Sequence, residues 1–217
     1  MTSKHLKLIT IFFLLVSIAA VAYYGWQKRQ NLLERIAFTG KKINLDATRS
    51  PTPSPASITQ LKQFADSKDW IEGINIIRVD FTTNTRATTF RYFKDAAIET
   101  AWAEFKEKNG AVPLFGSSES NNQRIVNLIN GQFQCIRTLD TQAGTSIPII
   151  NQYSLATCLV PIPPGYGDFV GFMNVFLKRQ PTGAEIIELE QSTAQISLDM
   201  YQRDIVKSTR PFGESLK

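Results

Sequence analysis

The sequence predicts an α+β domain that follows a single N-terminal transmembrane helix. Three observations predict this class: an apolar run near the N-terminus, alternating β-branched segments in mid-chain, and a long amphipathic segment near the end. The 217 residues are 43% hydrophobic and 20% charged, which excludes a disordered or collagen-like chain. The predicted parts are a basic cytoplasmic leader at 1–7, a membrane span at 8–26, a juxtamembrane helix with a Pro-rich spacer at 27–57, and a globular domain at 58–217.

Residues 8–26 have the composition of a membrane-spanning helix. They contain no Asp, Glu, Lys, Arg or His. At the rise of an α-helix this run covers roughly 28 Å, close to the thickness of the bilayer hydrocarbon. Aromatic and basic residues then lie at the membrane boundaries, and small residues allow close contact between helices. The boundary residues are Lys7, Tyr23, Tyr24, Trp26, Lys28 and Arg29, and the small residues are Ser17, Ala20, Ala22 and Gly25.

Cleavage and orientation of this segment stay open. The pattern at 20–22 also fits a cleaved signal peptide, although apolar character that continues to Trp26 favours a retained anchor. Two Lys precede the span and five Lys and Arg closely follow it, so the positive-inside rule places the large domain in the cytoplasm. A short basic leader is instead typical of a signal anchor with an exported domain.

The positive charge of the chain lies in its N-terminal part. Lys and Arg exceed Asp and Glu by five overall, yet residues 1–57 carry eight basic against two acidic residues, and residues 58–217 carry 16 against 17. Such a nearly neutral domain has no basic face that matches a phosphate backbone. We therefore expect no nucleic-acid partner, and the lipid bilayer is the expected partner of the basic segment.

The periodicity after the prolines at 51, 53 and 55 predicts helix, hairpin, helix, antiparallel strands and helix. The elements are a helix at 57–70 with Ser57 as N-cap, strands at 73–81 and 87–95, a helix at 96–110, a loop at 111–122, a hairpin at 124–140 closed by Asn130-Gly131, strands at 153–162 and 169–178, and a helix at 181–206. Because the last helix can cover one sheet face, the expected architecture is PAS-like or GAF-like.

The residue types in the domain exclude common catalytic sites. The single histidine is His5 in the leader, so no His-dependent triad or His-ligated metal site is expected. Glycines at 163–172 lack the spacing of a phosphate-binding loop. We interpret Asp80, Asp140 and Asp168 as turn and cap residues. The sequence therefore predicts neither an enzyme nor a cofactor.

Cys135 and Cys158 are the two cysteines of the chain. If residues 133–139 and 153–161 pair as antiparallel strands, the two thiols lie roughly opposite each other, at a separation that a disulfide allows. The bond would stabilise the fold by about 3 kcal/mol in the chain-entropy model. Two buried reduced thiols are the alternative, and the choice depends on the compartment.

The order and spacing of several stretches resemble the holin of T-even bacteriophages. These stretches are 57–81, 124–135, 150–180 and 184–202. The resemblance implies a homo-oligomer in the host inner membrane that releases endolysin for host cell lysis, with a periplasmic domain that an antiholin regulates. The family disulfide joins a strand cysteine, matched by Cys158, to the closing helix, which has no cysteine here. The alternative is a membrane-anchored extracytoplasmic sensor or ligand-binding module with a PAS-like or GAF-like core.

Overall fold

The computed structural model describes Tyr23 and residues 51–109, 112–137, 154–165 and 168–206. The chain divides into units at 1–40 and 41–217, and the second unit contains the sheet and its helices. The predicted leader, the span and its boundary and small residues lie outside the described residues, except Tyr23, which is exposed. Within the described ranges, no helix combines the length and the apolar character needed to cross a membrane.

An antiparallel sheet of six strands forms the centre of this unit. The strands are β1 (Ile71–Asp80), β2 (Thr85–Phe93), β3 (Val112–Pro113), β4 (Gln134–Arg137), β5 (Ala156–Ile162) and β6 (Gly171–Leu177). Their order across the sheet is β3-β2-β1-β6-β5-β4. The apolar runs of β5 and β6 are buried almost throughout, as expected for strands with both faces covered.

Among the described residues, four helices flank the sheet. They are α1 (Pro55–Asp66), α2 (Ala96–Asn109), α3 (Glu119–Ile129) and α4 (Gly183–Met200), and a π-helical turn (Tyr201–Val206) follows α4. Thr182 and Glu185 form a capping box at the start of α4. The cap of α1 is Ser54 rather than Ser57, because Pro55 occupies the first helical position, where its missing N–H costs nothing.

Alternation along the strands gives the sheet two distinct faces. One face, the α1/α4 face, packs against α1 and α4. Its buried cluster includes Leu61, Ile74, Ile76, Val160, Met173, Val175, Leu189 and Met200. The other, the α2/α3 face, carries Phe93 and Phe176 against Ile98 and Trp102 of α2, and Gln134 against α3. The strand pattern therefore separates two layers with different chemistry.

Residues 119–137 form a helix followed by a strand, so the predicted hairpin over 124–140 is wrong. The Ser118 side chain accepts a hydrogen bond from the Asn121 backbone N–H at 3.3 Å and caps α3. Apolar residues Ile125, Leu128 and Ile129 recur at helical spacing and are buried. Asn130 is the C-cap, and Gly131 has φ 75°. The Asn-Gly pair therefore ends a helix here instead of closing a two-residue turn.

Candidate ligand-binding site on the α2/α3 face

Five side chains, one from each of five strands, form a row across the α2/α3 face. Asn75 of β1 pairs with Arg91 of β2 and Asn174 of β6, Asn174 pairs with Leu159 of β5, and Leu159 pairs with Gln134 of β4. Residues directly opposite in a sheet project from the same face, so these side chains are neighbours. We call Arg91, Asn75, Asn174, Leu159 and Gln134 the cross-strand row.

Helices hold both ends of the cross-strand row. At one end, Arg91 Nε donates to Glu99 Oε1 of α2 at 2.5 Å. At the other end, Gln134 Nε2 donates to the Arg124 carbonyl of α3 at 3.0 Å, and Gln134 Oε1 accepts from Asn127 Nδ2 at 3.3 Å. Contacts with α2 and α3 therefore fix both termini of the row.

The centre of the row contains buried polar atoms without partners. Asn75 is 0% exposed, and neither its Nδ2 nor its Oδ1 has a hydrogen-bond partner. Asn174 Oδ1 and Glu99 Oε2 are likewise buried and unpaired. Among the described residues, Asn75 is the one side chain with both polar atoms in this state. An unsatisfied buried polar group costs about 1–3 kcal/mol, so its presence requires an explanation.

An aromatic cluster borders the row on one side. The ring centroids of Phe93 and Phe176 are 5.3 Å apart, and Trp102 lies 5.6 and 6.0 Å from them. Gly73 lies between the two phenylalanines in the register, and a Cβ there would meet Phe93 Cδ1 at 2.3 Å. The missing side chain of Gly73 thus allows the Phe93 ring to lie over β1 and close this side of the site.

A partly buried cation lies further along β2 on the same face. Arg86 pairs with Val79, and its Nη1 donates to Asn121 Oδ1 of α3 at 3.4 Å. Burial lowers the pKa of the Arg86 guanidinium to about 10. Within the described ranges, no group of His, Cys, Asp and Glu could hold a metal ion. The polar groups of this face are therefore amides, two guanidinium groups and the Glu99 carboxylate that pairs with Arg91.

The residues singled out from the sequence lie elsewhere. Cys135 and Cys158 are directly opposite in β4 and β5 and form a disulfide with an S–S distance of 1.98 Å, and Cys158 belongs to the α1/α4 core. Asp80 is a turn residue, since its Oδ1 accepts from the backbone N–H groups of Thr82 and Thr83, and the bonds from Thr83 lower its pKa. Asp140 lies outside the described residues.

The cross-strand row was not predicted from the sequence. One signal was present, because Asn75 interrupts the apolar run of β1 and Asn174 interrupts that of β6. An amide inside a strand that is buried on both faces needs a partner, and this requirement makes its surroundings a candidate site.

The unit has the fold of GAF domains. No protein-family model matches the chain, and no curated protein matches its sequence. The GAF domain/HD domain protein from Geobacter sulfurreducens superimposes with a TM-score of 0.50 at 11% identity, over 70% of this chain and 94% of that chain. The GAF domain of a two-component sensor histidine kinase from Bacillus halodurans gives 0.46 at 15%, over 72% and 99%. The predicted α+β class with a GAF-like antiparallel sheet is thus confirmed.

The interpretation as a phage holin is wrong. The comparison with the Geobacter sulfurreducens protein gives the fold of GAF domains instead. The terms holin, host cell lysis, viral release and transmembrane helix are therefore not retained as descriptions of this protein. The predicted span at 8–26 lies outside the described residues apart from Tyr23. The periplasmic location and the bilayer and homo-oligomer partners stay predictions.

Proposed function

We propose that this protein is a GAF-like sensor or ligand-binding module that holds a small molecule on the α2/α3 face. One observation carries the proposal: the fully buried Asn75 carboxamide, at the centre of the cross-strand row, has no hydrogen-bond partner for either polar atom. The GAF-like fold agrees with this function at the level of architecture.

The residues around Asn75 support the proposal. Such sites are mostly apolar and contain a few placed polar groups that orient the ligand. Here the aromatic side chains of Phe93 and Phe176 and the apolar Leu159 adjoin the two asparagines. Because the Glu99 and Gln134 contacts already hold the ends of the row, little ordering remains to be done on binding.

A thermal-shift screen tests the proposal. Full-length protein is heated with a panel of nucleobases, amino acids and short carboxylic acids, and native mass spectrometry checks for a molecule that copurifies. We expect at least one compound class to raise the Tm of the wild type and not that of Asn75→Leu, since leucine keeps the volume and removes both polar atoms.

Ser197→Ala is the matched control. Ser197 is buried on the α1/α4 face, where its Oγ donates to the Pro161 carbonyl at 2.8 Å. This variant should respond to the ligand like the wild type. Equal Tm shifts in Asn75→Leu and the wild type, or no shift and no copurified molecule for the wild type, would contradict the proposal.

A further inference from the structure

We infer that Arg86 of β2 binds the carboxylate group of a small monocarboxylic acid on the α2/α3 face. The guanidinium is partly buried, and its neighbours in the sheet and on α3 are defined. The inference goes beyond the proposed function, because it concerns a second position on this face. Arg86 pairs with Val79, which lies about 13 Å along β1 from Asn75.

The guanidinium of Arg86 is only partly used in hydrogen bonds. Its Nη1 donates to Asn121 Oδ1 at 3.4 Å, a separation longer than that of most N–H···O bonds. Nε and Nη2 form the other edge of the planar group, and neither donates to any of the described residues. Both nitrogens retain accessible surface, whereas the unpaired atoms of Asn75 are enclosed. A dissolved molecule can therefore reach the Nε/Nη2 edge.

The positive charge of Arg86 has no acidic partner in the described part of the chain. The side chain that faces it, Asn121, is a neutral amide. Glu119, the acidic residue in the first turn of α3, is exposed and makes no ion pair with Arg86. Burial lowers the pKa of the guanidinium to about 10, and no neighbouring carboxylate opposes this shift. Because a partly desolvated charge without a counter-charge costs free energy, the position favours a bound anion.

Asn121 holds the guanidinium in place without neutralising it. It is 8% exposed, its Nδ2 donates to the Leu114 carbonyl at 3.3 Å, and its backbone N–H donates to Ser118 Oγ at 3.3 Å. These contacts fix the amide so that Oδ1 accepts from Arg86 Nη1. The Nε/Nη2 edge is thereby oriented and stays available.

Shape and charge select a monocarboxylate. The N–H groups of Nε and Nη2 are parallel, and their spacing matches the two oxygens of a carboxylate. One guanidinium balances one negative charge, so a phosphate dianion would bring a second charge without a partner. Val79 and Val112 are the register partners of Arg86 on the two neighbouring strands, and they offer apolar surface to a short hydrocarbon chain.

A pair of compounds with the same shape tests the inference. Butyrate and butyramide differ in charge and in the second acceptor oxygen, but they have the same carbon chain. Isothermal titration calorimetry on the full-length protein should give butyrate a Kd lower by about tenfold or more, since hydrogen bonds to charged groups are the stronger ones. Inorganic phosphate and chloride should bind more weakly than butyrate.

Variants assign the contact to Arg86. Arg86→Gln should weaken butyrate by about tenfold or more and remove its advantage over butyramide. Arg86→Lys keeps the charge and loses the two-pronged edge, so its affinity should lie between those of Arg86→Gln and the wild type. Arg78→Gln is the matched control, because Arg78 is an exposed arginine of β1 and should not affect butyrate. Circular dichroism checks that each variant is folded.

The outcomes are distinguishable from those of the proposed function. Equal affinity of the wild type for butyrate and butyramide, or unchanged butyrate binding in Arg86→Gln, would overturn the inference. Phosphate or chloride binding as tightly as butyrate would mean an adventitious ion only and would also overturn it. Asn75→Leu should bind butyrate like the wild type, and a loss there would contradict the assignment to Arg86. Only compounds whose effect depends on Asn75 bear on the proposed function.

Discussion

The two faces of the sheet come from the same strands, but they differ in whether their buried polar side chains have hydrogen-bond partners. On the α1/α4 face, buried hydroxyls are paired: Ser197 Oγ donates to the Pro161 carbonyl at 2.8 Å, and Thr193 Oγ1 donates to the Leu189 carbonyl at 2.5 Å. On the α2/α3 face, Asn75 is buried with neither polar atom paired. Selection for stability alone would remove such an amide, so the difference supports the proposal that the α2/α3 face binds a ligand.

Two unpaired atoms near the α1/α4 face do not remove this contrast. Gln60 Oε1 and Asp204 Oδ1 are buried without partners. In each side chain, however, the other polar atom is bonded: Gln60 Nε2 donates to Asp199 Oδ2 at 3.3 Å, and Asp204 Oδ2 accepts from the Ser54 N–H at 3.0 Å. These two hydrogen bonds connect the N-terminal end of the unit with its C-terminal helical segment, whereas neither amide atom of Asn75 makes a hydrogen bond.

The largest effect is expected from a cavity in the α1/α4 face. Met173 is 0% exposed at the centre of β6, so Met173→Ala removes packed atoms that the surrounding side chains cannot replace. We expect the free energy of unfolding to fall by about 3 kcal/mol in urea denaturation. The exposed Ile187→Ala on α4 is the control and should change it by less than about 0.5 kcal/mol. Similar losses for both variants would show that this face is not a packed core.

A smaller effect is expected when one buried polar side chain on each face is replaced, because the free energy of unfolding should change in opposite directions. Without ligand, Asn75→Leu should raise the free energy of unfolding by about 1–2 kcal/mol, because it removes an unsatisfied buried amide. Ser197→Ala should lower it by about 1–2 kcal/mol, because the Pro161 carbonyl loses its donor. Chemical denaturation of both proteins measures the two values. A loss of stability in Asn75→Leu would mean that this amide is a structural element and would remove the contrast.

The smallest effect is expected on the pH dependence of stability, through the ion pair at the start of α4. The Arg179 side chain donates to both Glu185 carboxylate oxygens, at 2.9 and 2.6 Å, and lowers the pKa of Glu185 to about 2. A depressed pKa in the folded state gives stability that is complete above pH about 4.5 and is lost as pH falls toward about 2. Glu185→Gln should therefore flatten the acid limb of a plot of unfolding free energy against pH. An unchanged acid limb would contradict this assignment.

Local sequence was informative where short-range signals act alone. Alternation predicted the β1–β2 hairpin, and an almost wholly apolar run predicted β6 as a buried strand. Prediction from local sequence failed where one short motif is compatible with two different structures. Asn130-Gly131 suits both a tight turn and a helix C-cap, and the packing of Ile125, Leu128 and Ile129 selected the helix. Pro55 suits both the end of a Pro-rich spacer and the first position of a helix, and in the structure it begins α1 with Ser54 as the cap.

The amino-acid sequence by itself determined the α+β class and the apolar strands, since hydrophobic periodicity acts over a few residues. Only the tertiary structure decided which side chains share a site. Arg91, Asn75, Asn174 and Gln134 come from four strands, and long-range pairing sets the register that aligns them. Whether a buried amide finds a partner depends on that register and on the helices above it, and no local stretch of sequence contains this information.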